Sequence, residues 1–208
     1  MSTTQTPESQ SATTPSQAIE MLKQGNVRFT SGSTTSRDYQ SQVLQTAVGQ
    51  YPIAAVVSCI DSRIPTEIVF DQGIGDIFNA RIAGNFVNED ILGSLEFACK
   101  VAGAKAIVVM GHTSCGAIKG ACDKVELGNL TQMLEKIMPA VDAIHTPQGA
   151  DRSSANAEFV DAVAAKSVEL TLAKIKENSP VLEEMIEANE IEIVGAMYDV
   201  ASGKVSFL

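Results

Sequence analysis

Two short segments of this chain combine residues that bind transition metals. The first segment runs Cys59-Ile-Asp61-Ser-Arg63 and the second runs His112-Thr-Ser-Cys115, so together they supply two thiolates and one imidazole. Zinc prefers sulfur and nitrogen ligands in a tetrahedral arrangement, and three protein ligands with one open position are typical of catalytic sites. Either segment alone is a weak signal, but the pair predicts a zinc ion bound by Cys59, His112 and Cys115, with a free position for water.

The charged residues of the first segment indicate chemistry beyond metal binding. Arg63 can hold Asp61 through charge-assisted hydrogen bonds, because a single serine separates the two residues. Held in this way, Asp61 can accept a hydrogen bond from a zinc-bound hydroxide and direct the remaining lone pair of the hydroxide toward an electrophile. We therefore predict Asp61 and Arg63 as catalytic residues. The alternative is an ordinary surface salt bridge, which contributes little to stability.

The remaining cysteines and the second histidine are not assigned to the site. Cys99 lies in the apolar stripe of a predicted helix, and an isolated buried cysteine usually behaves as a small apolar side chain. The same interpretation applies to Cys122. His145 precedes Thr-Pro in a predicted loop and belongs to no recognisable motif. We expect none of these three residues to bind the metal.

The two metal-binding segments follow two predicted strands at the point where each strand ends. Residues 53–58 and 106–110 are uninterrupted apolar runs with polar residues directly behind them, which is typical of strands covered on both faces. In an open α/β sheet, functional groups converge beyond the carboxyl ends of the strands where the strand order reverses. Neighbouring first and third strands would therefore bring Cys59 and His112 together. Cys115 is also expected at a helix N-terminus, where the helix dipole favours a thiolate.

The rest of the chain alternates between predicted strands and helices. Further strands are expected at residues 76–82 and 191–197, and a short antiparallel strand at residues 205–207. Apolar residues at helical spacing predict the intervening helices, one of which starts at Ser179-Pro180. This alternation predicts an α/β fold with a mostly parallel central sheet of four strands, plus a short antiparallel edge strand, flanked by helices.

Composition and charge restrict the classes of partner. Asp and Glu outnumber Lys and Arg by 25 to 15, and the resulting net charge of −10 should repel phosphate backbones and anionic membrane surfaces. We expect neither nucleic acid nor a membrane as a partner.

Residues 1–14 are polar, without a basic start or an apolar stretch, and are predicted to be a disordered tail ahead of a single domain at residues 15–208. Four cysteines are too few for a disulfide scaffold, which indicates a cytoplasmic setting.

Four segments occur in an order and spacing that point to one family. They are Cys59-Ile-Asp-Ser-Arg63, Phe70-Asp-Gln-Gly-Ile-Gly-Asp76, Arg81-Ile-Ala-Gly-Asn85 and Gly111-His-Thr-Ser-Cys-Gly-Ala117. These segments resemble the successive signatures of the beta-class carbonic anhydrases. The match is strong over residues 18–122 and weaker beyond them, and it implies that residues 15–208 form a domain of this family.

The resemblance implies both a cofactor and a reaction. Zinc would be bound by the three ligands named above, with the Asp61–Arg63 pair beside it. The implied reaction is the reversible hydration of carbon dioxide to bicarbonate and a proton through a zinc-bound hydroxide. The implied assembly is a homodimer or a homotetramer with its substrate cleft at a subunit interface. In relatives with a Gln at the position of Gln72, that side chain donates a hydrogen bond to bound substrate, so Gln72 is predicted to bind substrate.

Other functions are compatible with the same residues. Some relatives hydrolyse carbonyl sulfide or carbon disulfide with the same ligands, and the shape of the cleft decides between these substrates. A zinc-stabilised binding module without activity would need a fourth protein ligand, for which Asp61 is the nearest candidate. A redox role of Cys59 and Cys115 is weaker, because the chain has no Cys-x-x-Cys motif and such a role would leave His112 unexplained.

Overall fold

The computed structural model describes residues 4–208, and within them five strands form one sheet flanked by helices. The strands are β1 (Ala54–Ser58), β2 (Ile77–Arg81), β3 (Ala106–His112), β4 (Glu192–Tyr198) and β5 (Val205–Phe207). The helices are α1 (Pro7–Ala12), α2 (Pro15–Thr30), α3 (Tyr39–Thr46), α4 (Thr66–Val69), α5 (Glu89–Glu96), α6 (Gly116–Cys122), α7 (Gly128–Glu135), α8 (Met138–Ala143), α9 (Ala157–Asn178) and α10 (Pro180–Glu187). A π-helical turn, Phe97–Val101, continues α5.

The strand order places two strand ends side by side at the centre of the sheet. The order is β2-β1-β3-β4-β5, with β5 antiparallel to β4 and the other strands parallel. This confirms the predicted α/β fold, including its antiparallel edge strand. The strand order reverses between β1 and β3, where Ser58 is paired with Met110. The segments that follow these two strands therefore leave the sheet at the same edge.

Both faces of the two central strands are buried. Val56 and Val108 belong to the apolar cluster on one face, while Val57 and Val109 belong to the cluster on the other face. All four side chains are fully buried. A strand covered on both faces needs an apolar residue at every position, which explains the uninterrupted apolar runs in the sequence. Polar chemistry is thereby confined to the ends of these strands.

Capping residues set two of the predicted helix boundaries. Ser179 accepts a hydrogen bond from the Leu182 N–H and Pro180 occupies the first turn, so α10 begins where the sequence predicts it. Gly103 follows the helical segment after α5 with a φ of 80°, as expected of a residue that ends a helix. Across residues 4–208, no helix combines the length and the apolar character that crossing a bilayer requires.

The N-terminal segment differs from the predicted disordered tail. Residues 1–3 lie outside the described part of the chain, but residues 4–14 include α1, which a reciprocal capping box begins. The Gln10 side chain is 9% exposed and donates two hydrogen bonds, to the carbonyl oxygens of Pro52 and Ala102. These bonds dock a polar helix that has no apolar face, which is why apolar content did not predict it.

Candidate metal centre

Three buried side chains at the carboxyl edge of the sheet bring their ligand atoms together. The Sγ atoms of Cys59 and Cys115 and a ring nitrogen of His112 all lie within 4.8 Å of one another. The two sulfur atoms are 4.0 Å apart. Two thiolates on a tetrahedral zinc ion are separated by about 3.8 Å, because each Zn–S bond is about 2.3 Å long. The spacing and the donor set of two sulfurs and one nitrogen therefore fit zinc.

The end of a regular element positions each ligand. Cys59 directly follows β1, and His112 is the last residue of β3. Cys115 is the N-cap of α6, and a helix N-terminus favours the thiolate form of a cysteine. Because β1 and β3 are neighbours, the three side chains meet at one point beyond the sheet edge.

The hydrogen bonds of His112 leave one ring nitrogen free for a metal. Nδ1 lies 2.9 Å from the carbonyl oxygen of Thr113, and because a carbonyl can only accept, Nδ1 carries the proton. Nε2 then presents a lone pair, and this buried atom has no hydrogen-bond partner among residues 4–208. A buried polar atom without a partner is costly. A metal ion at this point would satisfy it.

The Asp61 carboxylate lies beside the ligands and is held by Arg63. Oδ1 accepts from the backbone N–H and the Nε of Arg63, at 3.0 and 2.9 Å, and Oδ2 accepts from Nη2 at 2.7 Å. These bonds from Arg63 hold the pKa of the Asp61 carboxyl well below its usual range, although partial burial opposes them. Oδ2 is 4.0 Å from Nε2 of His112. An ionised carboxylate therefore borders the predicted metal position.

Two residues that sequence reasoning did not assign hold the Cys59 loop in place. Arg81 donates from Nε to the carbonyl oxygen of Cys59 at 2.9 Å and from Nη2 to the carbonyl oxygen of Asp61 at 2.7 Å. The N–H of Gly84 donates to the Cys59 sulfur at 3.4 Å. Both residues lie in the segment Arg81-Ile-Ala-Gly-Asn85, so the family resemblance of that segment was the sequence signal that could have found them. The pairing of Ser58 with Arg81 across the sheet brings the segment beside Cys59.

Comparison with known proteins agrees with this geometry. Residues 54–205 match a family model described as carbonic anhydrase. The sequence is 34% identical to carbonic anhydrase 2 of Mycobacterium tuberculosis strain H37Rv, over 92% of each chain. A crystal structure of a tetrameric beta-carbonic anhydrase from Sordaria macrospora is 26% identical and superimposes with a TM-score of 0.68, covering 81% of this chain and 90% of that chain. The chain belongs to the beta-carbonic anhydrase family.

Further relatives of this beta-carbonic anhydrase support the assignment. The carbonic anhydrase of Mycolicibacterium smegmatis is 35% identical, over 92% of each chain. The beta-carbonic anhydrase CafA of Aspergillus fumigatus is 24% identical and shares the fold, with a TM-score of 0.71 over 93% of this chain and 89% of that chain. The family resemblance of the sequence motifs is therefore confirmed, and the chain is an enzyme of the carbonic anhydrase class.

The two thiols of this beta-carbonic anhydrase influence each other. A hydrogen bond from Cys115 lowers the pKa of the Cys59 thiol to about 4, although burial opposes the effect. The same bond to Cys59, together with burial, raises the pKa of the Cys115 thiol. One thiolate therefore forms readily, while the second needs a positive charge close by. A divalent metal ion supplies that charge.

The Gln72 side chain is hydrogen-bonded to the backbone rather than to the three candidate ligands. Its side chain is 7% exposed, and Nε2 donates to the carbonyl oxygen of Phe70 at 2.7 Å. Within residues 4–208, no hydrogen bond joins Gln72 to Cys59, His112 or Cys115. The contact of Gln72 with substrate therefore stays a prediction.

The other cysteines and the second histidine of this beta-carbonic anhydrase lie elsewhere. Cys99 is buried within the π-helical turn after α5, and burial raises the pKa of its thiol to about 12. Cys122 ends α6. His145 is exposed in the loop between α8 and α9. In the described part of the chain, none of these three belongs to the group of ligand atoms.

Proposed function

We propose that this beta-carbonic anhydrase catalyses the reversible hydration of carbon dioxide to bicarbonate and a proton, with zinc held by Cys59, His112 and Cys115. One observation carries the proposal: two sulfurs and an imidazole nitrogen lie within 4.8 Å of one another, beside an ionised carboxylate. The imidazole Nε2 lacks a hydrogen-bond partner within residues 4–208. Family membership supports the reaction, and the donor set supports zinc.

The proposed centre leaves one metal position open. Zinc, when bound by three protein ligands, lowers the pKa of a water molecule at the fourth position to about 7 and so makes hydroxide available as a nucleophile. The three ligand residues are buried, whereas the Asp61 side chain is 16% exposed. Asp61 is therefore the partly exposed neighbour that could accept a hydrogen bond from such a water molecule.

Asp61 is proposed to orient the nucleophile. Oδ1 accepts two hydrogen bonds from Arg63 and Oδ2 accepts one, so a lone pair on Oδ2 is available to a further donor. An ionised carboxylate can only accept, which fixes the direction of the donated proton. The remaining lone pair of the nucleophile then points toward the substrate carbon, and such alignment lowers the barrier to attack.

Gln72 is proposed to orient carbon dioxide. The Phe70 carbonyl uses one of the two Nε2 hydrogens, and the second is available for a substrate oxygen. In a homodimer or a homotetramer, a cleft at the subunit interface would supply the contact between Gln72 and bound substrate that one chain lacks. The Sordaria macrospora relative is described as tetrameric. The assembly state and the cytoplasmic location stay predictions. Sedimentation tests the first, and cell fractionation tests the second.

Stopped-flow measurement of carbon dioxide hydration, combined with metal analysis, tests the proposal. We expect about one zinc per chain, loss of activity when dipicolinate removes the metal, and recovery when zinc is restored. Cys115→Ser should lose zinc and activity, because a serine hydroxyl replaces a thiolate poorly as a zinc ligand. Cys122→Ser is the matched control, since Cys122 lies on α6 but outside the ligand group.

Two results would contradict the proposal. Zinc-loaded wild type without carbon dioxide turnover at any pH would exclude the reaction, and turnover of carbonyl sulfide in its place would identify the alternative substrate. Unchanged turnover after complete removal of zinc would exclude the metal from the mechanism.

A further inference from the structure

The loop that carries two of the proposed ligands contains one residue in a left-handed conformation. Ser114 has a φ of 55°, in a region that residues other than glycine seldom adopt. The turn lies between His112, at the end of β3, and Cys115, at the start of α6. Such a conformation persists only where surrounding groups hold it. The hydrogen bonds of the Ser114 peptide identify those groups.

The peptide unit between Thr113 and Ser114 is hydrogen-bonded at both of its ends. Its carbonyl oxygen, on Thr113, accepts from Nδ1–H of His112 at 2.9 Å. Its N–H, on Ser114, donates to Oδ1 of Asp161 at 3.0 Å. Asp161 lies on α9, 47 residues away in the sequence. One planar peptide therefore connects the Asp161 carboxylate to the His112 imidazole.

The end of β4 holds the same turn from another direction. The N–H of Thr113 donates to the carbonyl oxygen of Tyr198 at 2.9 Å, and Oγ1 of Thr113 accepts from the N–H of Val200 at 3.1 Å. These bonds fix Thr113 but do not involve the Ser114 N–H. The bond from Ser114 to Asp161 is then the contact that sets the plane of the peptide facing His112.

We propose that Asp161 is a positioning residue of the metal centre, acting on His112 through the Thr113–Ser114 peptide. A carboxylate at the N–H end polarises the peptide, so that its carbonyl oxygen becomes a stronger acceptor for Nδ1–H. The stronger bond keeps the proton on Nδ1, fixes the ring orientation and makes Nε2 a better donor to zinc. The inference rests on the proposed function, because it takes His112 to be a zinc ligand.

Zinc-release rates provide the first test. Asp161→Ala removes the acceptor, and we expect zinc to pass to a chelator about 10-fold faster or more, as when other groups that orient a histidine ligand are removed. Asp161→Asn keeps an acceptor oxygen but removes the charge, so its rate should lie between those of wild type and Asp161→Ala. Asp142→Ala is the matched control, since Asp142 is an exposed aspartate on α8, and it should release zinc at the wild-type rate.

The imidazole signals of His112 separate this role from a purely structural one. The chain has two histidines, so a His145→Gln variant assigns both rings by NMR. In zinc-free protein, the Nδ1–H resonance of His112 should move upfield in Asp161→Asn as its bond to Thr113 weakens. A loss of global stability alone would leave this resonance in place.

The two readouts also distinguish this inference from the proposed function. A wild-type protein that binds no zinc would overturn the proposed function, while the His112 resonance would still test the link to Asp161. Unchanged zinc release together with an unchanged His112 resonance in Asp161→Asn would overturn the inference. If Asp161→Ala does not fold, Asp161→Asn decides alone, because it preserves the size of the side chain and an acceptor oxygen.

Discussion

Within residues 4–208, the Asp61 carboxylate accepts three hydrogen bonds, and all three come from Arg63. The Arg63 side chain is 49% exposed, so the pair contributes little to the stability of the fold. The pair acts through its geometry, because a planar guanidinium binds both carboxylate oxygens and fixes the plane of the carboxylate. A flexible ammonium group cannot hold a carboxylate in this way.

The geometric role of Arg63 predicts the effect of a conservative change. Arg63→Lys keeps the positive charge but loses the planar guanidinium that binds both carboxylate oxygens. We expect kcat/KM to fall by about 10- to 100-fold while the protein keeps its full zinc content. Arg152→Lys is the matched control. The Arg152 guanidinium also makes two hydrogen bonds at once, to the carbonyl oxygens of Val141 and Ile144, but outside the site. Stopped-flow kinetics on zinc-analysed protein measures both variants. A kcat/KM for Arg63→Lys within twofold of wild type would contradict the geometric role.

Sequence predicts the residues that carry distinctive chemistry and misses those that act through the backbone. The meeting of Cys59, His112 and Cys115 was predictable, because two thiols and an imidazole placed at two strand ends and the helix start that follows have few other uses. Arg81 lies in a signature segment, but its contact with the Cys59 loop was not predicted, because it is made to backbone carbonyl oxygens. The role proposed for Asp161 likewise depends on a bond to a backbone N–H group, and its position does not differ in the sequence from an ordinary surface charge.

At the scale of elements, the turn after β2 packs closely against the candidate metal centre. Gly84 has a φ of 83°, and its N–H donates to the Cys59 sulfur. A Cβ atom at this position would lie 2.5 Å from Cδ1 of Ile137 and 3.4 Å from Cβ of Ala117. Backbone conformation and close packing therefore both favour glycine here.

We expect Gly84→Ala to destabilise the protein by about 2 kcal/mol, since a left-handed backbone and an overpacked contact each carry a cost. The Cys59 sulfur should lose its bond from residue 84 as the turn shifts, so zinc release should also become faster. Gly93→Ala is the control, because Gly93 lies exposed on α5 with no atom near its Cβ position, and it should be stabilising by about 0.5–1 kcal/mol. Urea unfolding measures both, and equal stabilities of the two variants would contradict the packing argument.

The sequence predicted the strands to within about two residues, but it missed two N-terminal helices. Helix α3 buries Gln42, while its neighbours Val43 and Leu44 are exposed, so no apolar periodicity marks it. Helix α1 is likewise docked by an amide, that of Gln10. Both elements depend on polar contacts with distant backbone or loop atoms, which local patterns do not encode.

For the whole molecule, the neighbouring positions of β1 and β3 followed from chemistry, because the two metal-binding segments had to meet. The loop between α4 and β2 coincides with the signature segment Phe70–Asp76, but the resemblance did not predict how this loop packs. This loop carries two buried acids with opposite pKa shifts. Burial alone would raise the pKa of Asp71, but hydrogen bonds from Arg28, Arg37 and Thr35 outweigh it and lower that pKa. Burial raises the pKa of Asp76, and a bond from the Gly73 N–H opposes it only in part.

These shifts give the two acids opposite effects on stability as the pH changes. The unfolded pKa of an aspartate is about 4. Asp71 has a folded pKa below this value, so it stabilises the fold above pH 4, and this contribution is lost as the pH falls through the lowered pKa. Asp76 has a folded pKa above this value, so the fold loses stability as the pH rises from 4 through the raised pKa.

Neutral isosteres separate the two contributions. Asp71→Asn should lose about 3 kcal/mol at pH 7, because it leaves Arg28 and Arg37 without their carboxylate, and the difference from wild type should shrink toward pH 3. Asp76→Asn should behave in the opposite way, gaining stability relative to wild type as the pH rises above 4. Urea unfolding from pH 3 to 7 measures the stability of both variants and of wild type. A chelator in every sample removes the contribution of the metal. A pH-independent difference for Asp71→Asn would mean that its bonds to the two arginines do not depend on charge, and would contradict the opposing effects of the two acids.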